Sequence, residues 1–171
     1  FIDGARLGYA LTATGNDVTL EDIARIADVF YIGGTKVGAM FGEAVVFTHG
    51  NMPKNFVTLV KQHGALLAKG WLLGVQFDTL FTDDLYCRIA RHANDAADRI
   101  REVLVERGYT LTFDAPTNQI FITLDNATSE RLQRNVRLGF MEKADDTHTV
   151  MRICTSWATT DEQVEQLIAL L

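Results

Sequence analysis

The chain has 171 residues, 47% of them hydrophobic and 22% charged, the balance of one ordinary globular domain or two small ones rather than of a disordered polymer. A net charge of −6 without any dense Lys/Arg run argues against a nucleic-acid-binding face, which needs a basic surface. Cys87 and Cys154 stand at no metal-ligand spacing and make no disulfide framework, so a reducing, cytoplasmic setting is expected.

The sequence opens "FIDGARLGYA", without a methionine, a leader or a helix cap. Phe1-Ile2 reads as the end of a strand, and an N-terminal portion of the same protein is expected upstream of it. "DGAR" turns out of that strand. "TLEDIARIA" starts a helix with a capping box, Thr19 facing Asp22. "ADVFYIGG" and "EAVVFTHG" are strands on either side of a glycine loop, and strand, helix, strand in about thirty residues is the rhythm of an α/β sheet. Residues 51–81 read as helical and mostly apolar. The run Ala65 to Phe81, interrupted by Lys69 and Asp78, is too short to span a bilayer and reads as a buried helix. Asp83-Asp84 opens a long helix in which Leu85, Ile89, Ala93, Ala96, Ile100, Val103 and Leu104 recur at three and four, and Gly108 stops it. Strands "YTLTF" and "QIFITL", a helix from Ser129 to about Leu138, a strand "TVMRICTSW" and a last helix "TDEQVEQLIALL" complete an α+β pattern. Residues 1–82 are therefore expected to be α/β and residues 83–171 a small α+β domain.

Asp3 follows an apolar pair and precedes Gly4, which puts it at the carboxyl end of a strand, the edge where open α/β sheets bind ligands. An ordinary Asp-Gly turn is the plainer reading. Lys36 ends the next strand. "GGTKVGAMFG" lacks the spacing of a phosphate loop, and no helix follows it. Gly33, Gly34, Gly38 and Gly42 flank the lysine between strands that look fully buried, as if backbone must approach a bulky planar group. An exposed loop lysine is one alternative; a lysine kept partly desolvated can instead form a Schiff base. Asp3 and Lys36 end consecutive strands and should lie near each other. An acid that can hold a pyridinium nitrogen protonated, with a lysine that can hold an aldehyde, is what a pyridoxal cofactor requires.

The segment "FIDGARLGYALTATGNDVTLEDIARIADVFYIGGTKVGAMFGEAVVF" resembles the fold type I pyridoxal-phosphate enzymes, and within them the low-specificity threonine aldolase and β-eliminating lyase group. "DGAR" and the glycine-flanked lysine carry the resemblance. It implies that residues 1–82 are the C-terminal part of a fold type I (aspartate aminotransferase-like) large domain with a mixed sheet, and residues 83–171 the small C-terminal domain. It implies pyridoxal phosphate as cofactor, with Asp3 on the pyridine nitrogen, Lys36 as the Schiff-base lysine and the Thr35 hydroxyl on the phosphate. Arg6 and, within "MRICTSWATT", Arg152 would bind the substrate's α-carboxylate, a task that suits a planar guanidinium fork. Lys61 and Lys69 fall where the family places basic residues that reach a neighbouring subunit's cofactor phosphate; a lysine snorkelling from a buried helix is the plainer account.

The implied activity is cleavage of a β-hydroxy-α-amino acid such as threonine to glycine and an aldehyde. The implied assembly is a homodimer or homotetramer, with the helix at 65–81 suited to an interface. Two departures stand out: Phe1 where the family carries histidine, and "GGTKVGAMFG" in place of a serine-lysine-glycine run. The phosphate-cradling loop and the ring-stacking aromatic belong to the N-terminal portion. The rivals are a β-eliminating lyase or aminotransferase on the same frame, and a binding or scaffold protein that kept the fold and lost the cofactor. His63 reads as a helix-end residue, His49, His92 and His148 show no partners at metal spacing, and Trp71 and Trp157 read as core.

Overall fold

Ile2 forms a parallel bridge with Phe30, so the strand end at the start of the chain joins β1 (Val29–Gly33) through a helical crossover. The crossover holds α1 (Leu7–Leu11) and α2 (Leu20–Ile26). Thr19 caps α2 through the expected capping box, its hydroxyl accepting from the Asp22 amide while the Asp22 carboxylate accepts from the Thr19 amide. On its other side β1 pairs antiparallel with β2 (Glu43–Phe47), Val29 opposite Phe47 and Gly33 opposite Glu43. The arrangement is mixed, parallel on one side of β1 and antiparallel on the other. The computed structural model describes all 171 residues and divides them into two units, residues 1–11 with 16–89 and residues 12–15 with 90–171.

In the first unit Phe30 and Ile32 of β1 are buried with Leu7, Tyr9, Ile23 and Val37. Burial of both strands beside the Lys36 loop does not hold. In β2, Glu43 and Val45 are exposed, and the other residues are only half-buried. The helical run 51–81 is two helices, α3 (Phe56–Gln62) and α4 (Trp71–Phe81), with His63 at the end of α3. Nor is α4 buried: Leu80 alone is, while Trp71 is 64% exposed. The helix is apolar on every side, and its own unit covers only one of them, where Leu73 meets Gly42 and Phe77 meets Gly34.

α5 (Leu85–Glu106) begins in the first unit and continues in the second. The expected Asp83-Asp84 helix start is instead a 3₁₀ turn, Thr82–Asp84, with both aspartates at positive φ, 51° and 57°. β3 (Thr110–Leu111), β4 (Gln119–Asp125), β5 (Gly139–Lys143) and β6 (His148–Cys154) form one antiparallel sheet in the order β3-β4-β6-β5. α6 (Asn126–Gln133) and α7 (Asp161–Leu170) complete the unit. Ile120, Ile122 and Leu124 alternate inward from β4 onto Ala97, Leu104, Leu132 and Val164. β5 escapes the sequence pattern because its residues are almost all exposed and carry no alternation. α6 starts three residues earlier than expected because the Asp125 carboxylate caps it, accepting from the Thr128 amide at 2.9 Å. Trp157 is half exposed, so neither tryptophan is core. No helix is long and apolar enough to cross a membrane.

Candidate active site

Three backbone hydrogen bonds lock residues 2–4 onto β1: Ile2 N–H to Val29 O, Tyr31 N–H to Ile2 O, and Gly33 N–H to Gly4 O. The fit is close enough that a Cβ on Gly4 would lie 1.7 Å from the Tyr31 carbonyl oxygen. Asp3 is thereby held beside the Tyr31 side chain, whose hydroxyl donates a hydrogen bond to Oδ1. The Ala5 amide donates to the same oxygen at 3.0 Å, an Asx turn. The turn reading of Asp3 holds. The Tyr31 hydroxyl, then the Ala5 amide, hold the Asp3 carboxyl below the usual carboxylate range, and the Lys36 and Arg6 charges act the same way. Bonding to Asp3, with some burial, pushes the Tyr31 phenol up to about 12.

Lys36 lies in a 3₁₀ turn, Thr35–Val37, directly after β1. Its carbonyl accepts from the Tyr9 hydroxyl, and the Gly33 carbonyl accepts from the Tyr86 hydroxyl at 3.0 Å. Tyr86 also accepts from the Gly8 amide at 3.0 Å, so one buried phenol ties α1 to the lysine loop. The flanking glycines answer to the chain's own packing rather than to a planar ligand. A Cβ on Gly33 would lie 2.7 Å from the Ala5 carbonyl oxygen, and Gly38 and Gly42 take positive φ of 102° and 93°.

The first unit therefore brings Asp3, Arg6 and Lys36 together. Arg6 is half-buried, its Nε is buried without a partner, and no carboxylate lies within salt-bridge distance of it. Thr35 is exposed beside Lys36. Lys61, at the end of α3, and Lys69, in the stretch before α4, are both exposed, which removes the reading of a lysine snorkelling from a buried helix. Arg152 belongs to the second unit, on the interior strand β6, where Nη1 donates to Gln119 Oε1 at 3.2 Å and Nε is buried without a partner. The sequence reading missed Tyr9, Tyr31 and Tyr86. In an apolar run a tyrosine looks like core, and only the fold shows what its hydroxyl reaches.

No family model matches the chain. Over 167 residues it is 29% identical to the low-specificity L-threonine aldolase of Pseudomonas aeruginosa, covering 97% of this chain and 47% of that protein. The structure of a threonine aldolase from Leishmania major matches with a TM-score of 0.94 at 41% identity, over 98% of this chain and 49% of that one. The chain therefore has the fold of the C-terminal portion of the fold type I enzymes, and over nearly its whole length it is similar to threonine aldolases. A serine palmitoyltransferase from Sphingomonas wittichii, 18% identical with a TM-score of 0.65 over 98% of this chain and 45% of that one, shares the fold. The chain spans about half the length of the curated threonine aldolases it matches.

Proposed function

We propose that the full-length protein is a pyridoxal-phosphate-dependent aldolase that cleaves a β-hydroxy-α-amino acid such as threonine to glycine and an aldehyde. One observation carries the reading. A carboxylate, a lysine and an arginine converge in one unit, and neither Lys36 nor Arg6 has an ion-pair partner within the chain. The group fits the cofactor. Asp3 is exposed, kept ionised, and uses only Oδ1 toward its own chain, leaving Oδ2 for a protonated ring nitrogen.

When bound, pyridoxal phosphate supplies the sink for the electron pair released as the Cα–Cβ bond breaks. Lys36 Nζ would hold the cofactor through its aldehyde carbon, and Asp3 would keep the ring nitrogen protonated. Thr35 and Lys69 are the residues of this chain proposed for its phosphate. Arg6 binds the substrate's α-carboxylate through its planar fork. Arg152 is proposed as a second carboxylate ligand on its sequence context and on the absence of a counter-ion around it in its own unit. The same reading makes residues 1–82 part of a cofactor-binding domain and residues 83–171 the small domain of a cytoplasmic homodimer or homotetramer. The exposed apolar sides of α4 support an oligomer, since contiguous apolar surface of this kind marks interaction sites.

The test uses the full-length protein with pyridoxal phosphate and L-threonine or L-allo-threonine, following aldehyde through a coupled reductase. Aldehyde release that vanishes in Lys36→Ala is the expected result. A cofactor band that shifts with amino acids while no aldehyde forms would overturn the aldolase and point to elimination or amino transfer.

A further inference from the structure

We propose that Tyr31 is the positioning residue for Asp3: its hydroxyl, with the Ala5 amide, engages Oδ1 and so reserves Oδ2 for the cofactor's ring nitrogen. The inference rests on the pyridoxal-phosphate reading of the site and goes beyond it to a residue that touches neither cofactor nor substrate. Both donors that the chain offers to Asp3 fall on one oxygen. A carboxylate free to rotate would share them between its two oxygens and present a different lone pair at each moment. With Oδ1 doubly engaged, the carboxylate plane is fixed and one oxygen remains.

Tyr31 is itself fixed from several directions. Its amide donates to Ile2 O at 3.3 Å, its carbonyl sits where a Gly4 side chain would stand, and its ring packs against Phe1 at 6.0 Å between centroids. The phenol is therefore delivered by the same close approach that places Asp3.

The hydrogen bond has an electronic consequence as well. A carboxylate that already accepts two hydrogen bonds is a weaker base toward a third donor. Tyr31 thus sets how strongly Asp3 pulls the ring proton as well as where Asp3 points. Removing the hydroxyl frees the carboxylate to turn and makes it more basic.

The experiment compares full-length wild type, Tyr31→Phe, Asp3→Asn and the double variant. Two quantities are read: the dissociation constant of pyridoxal phosphate, and the magnetic resonance signal of isotope-labelled ring nitrogen in the bound cofactor as pH is varied. Tyr31→Phe is expected to weaken cofactor binding by roughly tenfold, the size of one hydrogen bond to a charged acceptor, and to move the pH at which the ring nitrogen loses its proton. In the Asp3→Asn background the Tyr31→Phe effect should disappear, because the two act as one unit. Tyr31→Phe that binds and titrates like wild type, while Asp3→Asn does not, overturns the role of Tyr31 alone. A Tyr31→Phe effect that persists undiminished without Asp3 overturns it too, since the tyrosine would then act by another route. Wild type that binds no pyridoxal phosphate, or Asp3→Asn that binds it unchanged, overturns the underlying reading and this one with it.

Discussion

The two units are held together by different means. The second is an apolar sandwich, with α5, α6 and α7 contributing Leu104, Leu132 and Val164 to one face of a four-stranded sheet, all at most 1% exposed. The first buries fewer large apolar side chains and leaves most of the chain's exposed ones on its surface, Met40, Val57, Trp71 and Val75 among them. Its site is fixed instead by phenol hydroxyls on backbone carbonyls and by glycines where strands meet without room for a Cβ. The unit that carries the proposed chemistry thus relies on directional contacts. Hydrogen bonds and close backbone approach set positions to a fraction of an ångström, whereas burial of area is non-directional and tolerates sliding.

The sharpest way to break that contrast is a cavity in the apolar unit. Leu104→Ala removes a side chain that is 0% exposed and should cost about 2–5 kcal/mol, lost contacts and the residual void together. The units carry one tryptophan each, Trp157 and Trp71, so single-tryptophan variants followed in urea would report them separately. The loss should appear at Trp157. A matching change in the first unit is Tyr86→Phe, which keeps the ring and deletes only the hydroxyl between Gly33 O and Gly8 N–H. Losing these two hydrogen bonds should cost about 1–3 kcal/mol, read at Trp71. If Tyr86→Phe proved neutral, the first unit would be held by packing after all, and the distinction between the units would fail.

What the sequence made legible follows the same division. The periodicity of α5 and the alternation of β4 could be read directly, because burial writes itself into residue order. The proximity of Asp3, Arg6 and Lys36 was legible for another reason, since charged residue types stand out in such apolar settings. The tyrosine contacts were not. Tyr86 reaches a carbonyl 53 residues away, and nothing in its helical surroundings announces a partner. The exposure of α4 was hidden as well, because a helix apolar on all sides reads identically whether its own unit or another molecule covers it. The glycines around Lys36 signal close approach, but their pattern does not say what approaches.

The smallest expected effect concerns acid and tests whether the Asp3–Tyr31 contact behaves as a charged hydrogen bond. Asp3 titrates below its ordinary 3.8 in the folded chain, chiefly because Tyr31 and then Ala5 donate to it. The stability it contributes is therefore fully present above 3.8 and is lost as pH falls from there through the lowered value. At the alkaline end Tyr31 is raised from 10.0 to about 12, so its contribution holds below 10.0 and is lost as pH rises through about 12. Between those limits the contact should be insensitive to pH. Asp3 is exposed, so the effect is small and screened. The midpoint difference between wild type and Tyr31→Phe, followed at Trp71 from neutral to strongly acidic pH, should stay constant and then narrow as Asp3 protonates. A gap that persists undiminished in acid would mean the phenol bonds a neutral acceptor as well as the carboxylate. The choice of probe matters, because Asp145 in the other unit is also held low, by Thr147 and then His148, and loses its contribution in the same acid range. A signal averaged over both units would mix the two aspartates, and only the one read at Trp71 belongs to the candidate site.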